Sequence, residues 1–102
     1  MTWVYAEAAD GRFLLSARGH ATGSEAGCAF ISGILYALAG YLSNAEAEGC
    51  ARIGRMKLEP GDVSIRAQGG ERIQAAFDMA VIGLLQLEKQ YPELVRVEIS
   101  GK

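Results

Sequence analysis

Residues 2–18 read TWVYAEAADGRFLLSAR, and the way their side chains alternate decides how the fold begins. Residues 2–8 alternate in strand fashion, with Trp3 and Tyr5 on one face. The Asp10–Gly11 pair is a strong hairpin signal, because both residues tolerate positive φ. RFLLSAR then alternates again, with Phe13, Leu15 and Ala17 on one face and Leu14, Ser16 and Arg18 on the other. The stretch predicts a β-hairpin, so the domain is built on a sheet.

From about Ser24 to Ser43 the period becomes helical, and the segment is apolar almost all round. Gly33, Ala37 and Gly40 form a ridge of small residues along it. A helix with so little polar face is buried on more than one side, here by the second helix or by a second subunit. Asn44 and Gly49 bracket its predicted end. A second hairpin is predicted over 51–67, with Met56 and Leu58 alternating against Lys57 and Glu59 and a turn at Pro60-Gly61-Asp62;. Ile73, Phe77, Ala80, Leu84, Leu87 and Tyr91 then recur at steps of four and three, predicting a helix from Glu71 to Tyr91 that Pro92 stops;. Val95, Val97 and Ile99 alternate in a last strand. The order is ββαββαβ. It predicts an α+β two-layer sandwich: an antiparallel or mixed sheet with two helices on one face.

The chain has 102 residues, half of them hydrophobic, which fits one domain;. Its formal charge is −2 with acids and bases interspersed, which argues against direct nucleic-acid binding through a broad basic face;. The N-terminus lacks the pattern of a signal peptide, and Ala26–Leu42 is barely long enough to span a bilayer and has no flanking cations;. No membrane association is expected. Two cysteines without a secretory signal point to free thiols in the cytoplasm;.

One histidine and two cysteines exclude a four-ligand Cys/His metal site within one chain;. No phosphate-binding glycine motif occurs, so neither a metal nor another cofactor is expected;. What remains is thiol chemistry. A Cys/His nucleophile pair must use His20, at the end of the second strand. Cys28 falls in the first turns of the first helix, where aligned N–H dipoles stabilise a thiolate. Cys50 lies past the other end of that helix, about 30 Å away. The workable pair is His20–Cys28. Glu25, the nearest acid, either orients the imidazole or closes a capping box from Thr22, with Ser24 as a competing cap. Backbone N–H groups of Gly27 and Cys28 are candidates for stabilising an oxyanion. Set against this is a plain reading, in which Cys28 is a small core residue and His20 a surface one.

Gly19-His20-Ala21, an acid three positions before Cys28, then Ala29 and Ser32, resemble the signature of the ribosomal-processing cysteine proteases (Prp). The pattern there is roughly GHA, a loop, then D-I-V-C-A-A/G-x-S. MAVIGLLQLEKQYP and the final RVEI are similar to that family's last helix and strand, so the resemblance covers nearly the whole chain. It implies a cytoplasmic, homodimeric thiol protease that removes an N-terminal extension from a large-subunit ribosomal protein, cutting after an aromatic residue. Carried over position by position, His20 matches the base, Cys28 the nucleophile and Ser32 the motif serine. Glu25 stands in place of Asp, Ala26-Gly27 in place of Ile-Val, and the His–Cys loop is shorter. These departures leave a second reading: a non-catalytic dimeric module that binds a peptide or a ribosomal protein.

Overall fold

The computed structural model describes residues 1–19 and 25–100, the side chains of 25–28 excepted. The elements follow the expected order: β1 (Thr2–Ala9), β2 (Arg12–Gly19), α1 (Glu25–Ala47), β3 (Ala51–Glu59), β4 (Asp62–Gly69), α2 (Glu71–Gln90) and β5 (Val95–Ser100). Asp10 and Gly11 both have positive φ, so the first turn is closed as the Asp-Gly pair requires;. The end of α1, at Ala47, falls between Asn44 and Gly49 as expected, four residues beyond the Ser43 at which the apolar pattern stops. There the Gly49 N–H donates to the Glu46 carbonyl and the Cys50 N–H to the Ala45 carbonyl, the bond pair of a Schellman ending;.

The five strands lie in the order β3-β4-β2-β1-β5. Every neighbouring pair is antiparallel except β1–β5, which is parallel because α2 carries the chain across from β4. Val4, Ala6, Phe13, Leu15, Ala17, Ile65 and Ala67 point to one face and are buried there beneath the helices. From α1 come Ile31, Leu35, Leu38, Leu42 and Ala45, and from α2 Ile73, Phe77, Ala80, Val81 and Leu84. The predicted stripe of α2 is therefore buried through Leu84, while Tyr91 caps the helix end and is exposed. Phe13 and Phe77 meet with ring centroids 5.2 Å apart, tying sheet to helix. This is the two-layer α+β sandwich.

A bulge between Ile53 and Arg55 changes the parity of β3. Before it Ile53 pairs with Ala67, and after it Met56 pairs with Ile65 and Leu58 with Val63, so odd and even positions reach the same apolar face;. Gly69, at the β4–α2 junction, has no room for a side chain: a Cβ there would stand 2.7 Å from the Cβ of Ile73, itself fully buried.

Both edge strands have an amide tied down from the helix layer. The Ile53 N–H donates to Glu46 Oε2 and the Val97 N–H to Glu88 Oε2, each at 2.8 Å. A satisfied edge amide is not offered to a second chain. Glu88→Ala is expected to cost about 1–2 kcal/mol in urea unfolding, with Glu88→Gln recovering most of it through its remaining carbonyl oxygen.

Candidate functional site

Gly19 ends β2 with φ +95°, a value that L side chains rarely adopt, and a Cβ on it would overlap the Met1 carbonyl oxygen. Its N–H donates to the Gly61 carbonyl at 3.0 Å, which binds the end of β2 to the β3–β4 turn. The chain leaves the sheet here, at the position before His20. It returns to described structure at Glu25, where α1 begins.

At the Gly19 end of the sheet lies a cleft of about 180 Å³. Thr2 and Gly19 form its sheet side, the turn residues 59–63 its rim, and Ile31, Ser32, Leu35 and Tyr36 of α1 its helix side. Ile31 and Leu35 are buried and set the wall, whereas Ser32 is half-buried and Tyr36 exposed. The wall is apolar and carries one hydroxyl from the second turn of α1.

The rim is charged. Asp62 receives Lys57 Nζ at 2.7 Å and lies 3.4 Å from Arg18 Nε. The hydrogen bond from Lys57 holds its carboxyl below the usual carboxylate value, against the opposing effect of desolvation. That contribution to stability is present above the ordinary carboxylate range and is lost as pH falls through the depressed value. The Arg18 contact lacks hydrogen-bond geometry, which leaves Asp62 Oδ1 buried without a hydrogen-bond partner.

Ser32 is thus the one predicted site residue whose side chain is placed, and it lines the cleft. Gly27 and Cys28 belong to the first described turn of α1, but the side chain of Cys28 lies outside the described residues. Glu25 is the first residue described in α1. The caps Thr22 and Ser24 lie outside the described residues, as does His20. Cys50 is exposed at the opposite end of the sheet, beside the Ala51–Gly69 pair. The contribution of the β3–β4 turn was not foreseen. Pro60-Gly61-Asp62 reads as a turn in the sequence, and only the pairing of β2 with β4 brings it to the end of β2. Among the described residues no group of three or more His, Cys, Asp or Glu side chains is placed to hold a metal ion.

No family model and no curated protein matches the chain. Solved structures do. The ribosomal-processing protease Prp of Staphylococcus aureus, crystallised with a covalently linked product peptide, superposes with a TM-score of 0.78 at 21% identity, covering 98% of this chain and 100% of that one. This chain has the Prp fold. The same S. aureus protease with a substrate peptide gives a TM-score of 0.67 at 19% identity, covering 98% and 100% of the two chains. A Streptococcus mutans protein gives 0.64 at 20%, covering 100% and 96%. The resemblance read from the GHA and Cys28 motifs therefore holds at the level of the Prp fold over nearly the full length of the chain.

A second concavity, of about 660 Å³, lies between α1 and α2. Ile34, Ala37, Tyr41, Met79 and Gly83 line it, and Met79 is 73% exposed. At its edge Arg72 donates from Nε to the Tyr41 hydroxyl at 2.6 Å and from Nη1 to Glu48 at 2.7 Å. The ridge residues Gly33 and Gly40 have open space where a Cβ would stand, so α2 does not cover them. No helix among the described residues is long and apolar enough to cross a membrane.

Proposed function

We propose that this chain is a cysteine endopeptidase that removes the N-terminal extension of a large-subunit ribosomal protein in the cytoplasm. The observation that carries the reading is the cleft where the end of β2 meets the β3–β4 turn and the Ile31–Tyr36 stretch of α1. It lies on a fold shared with a protease crystallised with both a substrate peptide and a covalently linked product.

In the proposed reaction the Cys28 thiolate attacks the scissile carbonyl, and His20 as imidazolium protonates the departing amine. The resulting thioester is hydrolysed by water, which His20 deprotonates. First-turn amides, Gly27 among them, supply dipoles for the tetrahedral oxyanion. Ser32 presents a hydroxyl to the cleft and follows Cys28 by four residues, one helical turn, and Glu25 is the acid assigned to orient the imidazole;. The apolar wall of Ile31, Leu35 and Tyr36 suits an aromatic or aliphatic substrate side chain;. Incubation with a synthetic peptide copying the extension of the source's own ribosomal protein tests the reading. A single cut after an aromatic residue is the expected result. Peptide that binds but stays intact would favour the non-catalytic module instead.

The working form in this reading is a homodimer. Its support is the uncovered ridge of Gly33, Ala37 and Gly40 beside an apolar groove with Tyr36, Met79 and Ile82 exposed around it. Ala37→Glu, which places a charge in the groove at an exposed position, is expected to halve the mass measured by light scattering at micromolar concentration and leave the circular dichroism spectrum unchanged.

A further inference from the structure

The near-neutral formal charge of this chain conceals a separation of charge between its two layers. Seven of its ten Lys and Arg residues project from the sheet face that the helices leave open. They are Arg12 and Arg18 on β2, Arg52, Arg55 and Lys57 on β3, Arg66 on β4 and Arg96 on β5. Only four of the twelve acids share that face: Glu7, Glu59, Asp62 and Glu98. The cause is the two-residue period of a strand: charges that are interspersed in sequence all turn to one side once their apolar neighbours are buried.

Within that face the register gathers four arginines. Arg52, Gln68 and Arg12 lie in one row across β3, β4 and β2, and Arg55 faces Arg66 directly in the next. Neighbouring strands are about 4.8 Å apart and same-face residues along a strand about 7 Å apart, so the four side chains arise from a patch on the order of 10 Å across. Like charges set directly opposite each other on paired strands are unfavourable. All four are exposed, and none makes a salt bridge among the described residues. Beside them is a concavity of about 520 Å³ lined by Arg12, Leu14 and Arg66, with Glu7 and Asp10 at its far side. The neutralised part of the face is elsewhere: Asp62 is taken up by Lys57 and Arg18, and Glu7 accepts a hydrogen bond from Tyr5.

The other end of the face carries the chain's single tryptophan. Trp3 is 61% exposed and has Arg18 and Arg96 as its cross-strand neighbours. A large indole in water between two guanidinium groups contributes nothing to the core, which lies on the opposite side of the sheet. An open sheet that offers forked cations for phosphates and an aromatic plane for a base has the chemistry of a single-stranded nucleic-acid surface. We infer that the open face of this sheet binds single-stranded RNA, with Arg12, Arg52, Arg55 and Arg66 on the phosphates and Trp3 stacking on a base. An acidic polypeptide would satisfy the arginines but leave Trp3 unused, and for that reason RNA is the favoured occupant.

The full chain is titrated with a fluorescein-labelled 12-nucleotide single-stranded RNA at several salt concentrations, reading anisotropy and, with unlabelled RNA, the intrinsic fluorescence of Trp3. Saturable binding is expected, with quenching of Trp3 and a dissociation constant that weakens as salt rises. Arg55→Ala/Arg66→Ala should weaken binding at least tenfold and lower the slope of log affinity against log salt by about 1.4, two phosphates at roughly 0.7 each. Trp3→Ala should weaken it about tenfold with little change in slope. Neither variant touches the proposed peptidase machinery, so peptide cleavage, measured separately, should be the same in both. Binding that poly-glutamate matches without quenching Trp3 would overturn the proposal in favour of an acidic protein partner. RNA affinity that is unchanged in Arg55→Ala/Arg66→Ala would overturn the site itself.

Discussion

Cys28→Ala is expected to reduce cleavage of the extension peptide by about 10⁴-fold or more, while Cys50→Ser leaves the rate unchanged. In a unit where nucleophile and base act together, removing either one leaves only the contribution of binding and oxyanion stabilisation. His20→Ala should therefore fall nearly as far as Cys28→Ala, and the double variant little further. The Cys50 control separates the two thiols physically. Cys50 is exposed past the C-terminal end of α1, and from Cys28 to Ala47 the helix alone spans roughly 28 Å;. Iodoacetamide gives an independent readout: it should abolish cleavage in the parent and also in Cys50→Ser, where only one thiol remains to be modified. Cleavage that survives in Cys28→Ala, measured with an excess of chain over peptide, would remove the nucleophile assignment.

Leu15→Ala is the second large effect, at about 2–5 kcal/mol of unfolding free energy. Leu15 is fully buried on the central strand β2, opposite Ala6 on one side and Ile65 on the other. Neither neighbouring strand can move to fill the lost volume without breaking its own pairing, so most of the cavity should persist. A domain of this size has roughly 5–15 kcal/mol in total, so the variant loses a large share of it. Leu14→Ala, one position along and half-buried on the open face, should cost under about 1 kcal/mol;. Urea midpoints with an unchanged m-value distinguish the two. Equal costs would mean that the register of β2 differs from the one described.

The candidate site divides along the same line between local and distant information. The order of elements places His20 after a strand and Cys28 at a helix start, and a single histidine leaves no other assignment for the base. Nothing in the sequence indicates that the 59–63 turn forms the rim of that cleft, or that Asp62 meets Arg18 there. Those residues are separated by more than forty positions, and strand pairing, which carries no local signal, is what joins them. The end of α1 shows the reverse case. Asn44 and Gly49 bracket the helix end in the sequence, and the chain stops between them where Gly49 closes a Schellman ending, a signal carried by neighbouring residues.

By itself the sequence determined the seven elements and their order, because alternation with a period of two and a stripe with a period of 3.6 are properties of neighbouring residues. It also determined the alternating faces of β1 and β2, the apolar stripe of α2, and the likeness to the Prp fold through GHA and Cys28. The tertiary structure decided the strand order, the parallel β1–β5 pair and the bulge that lets Ile53 and Met56 share a face. It also decided the sign of charge on each surface. Dispersed acids and bases were read as an argument against a basic face, and the pleat sorted them into one. The physical reason is the same throughout: a side chain's direction is set locally, but its neighbours are set by which strands the chain brings together.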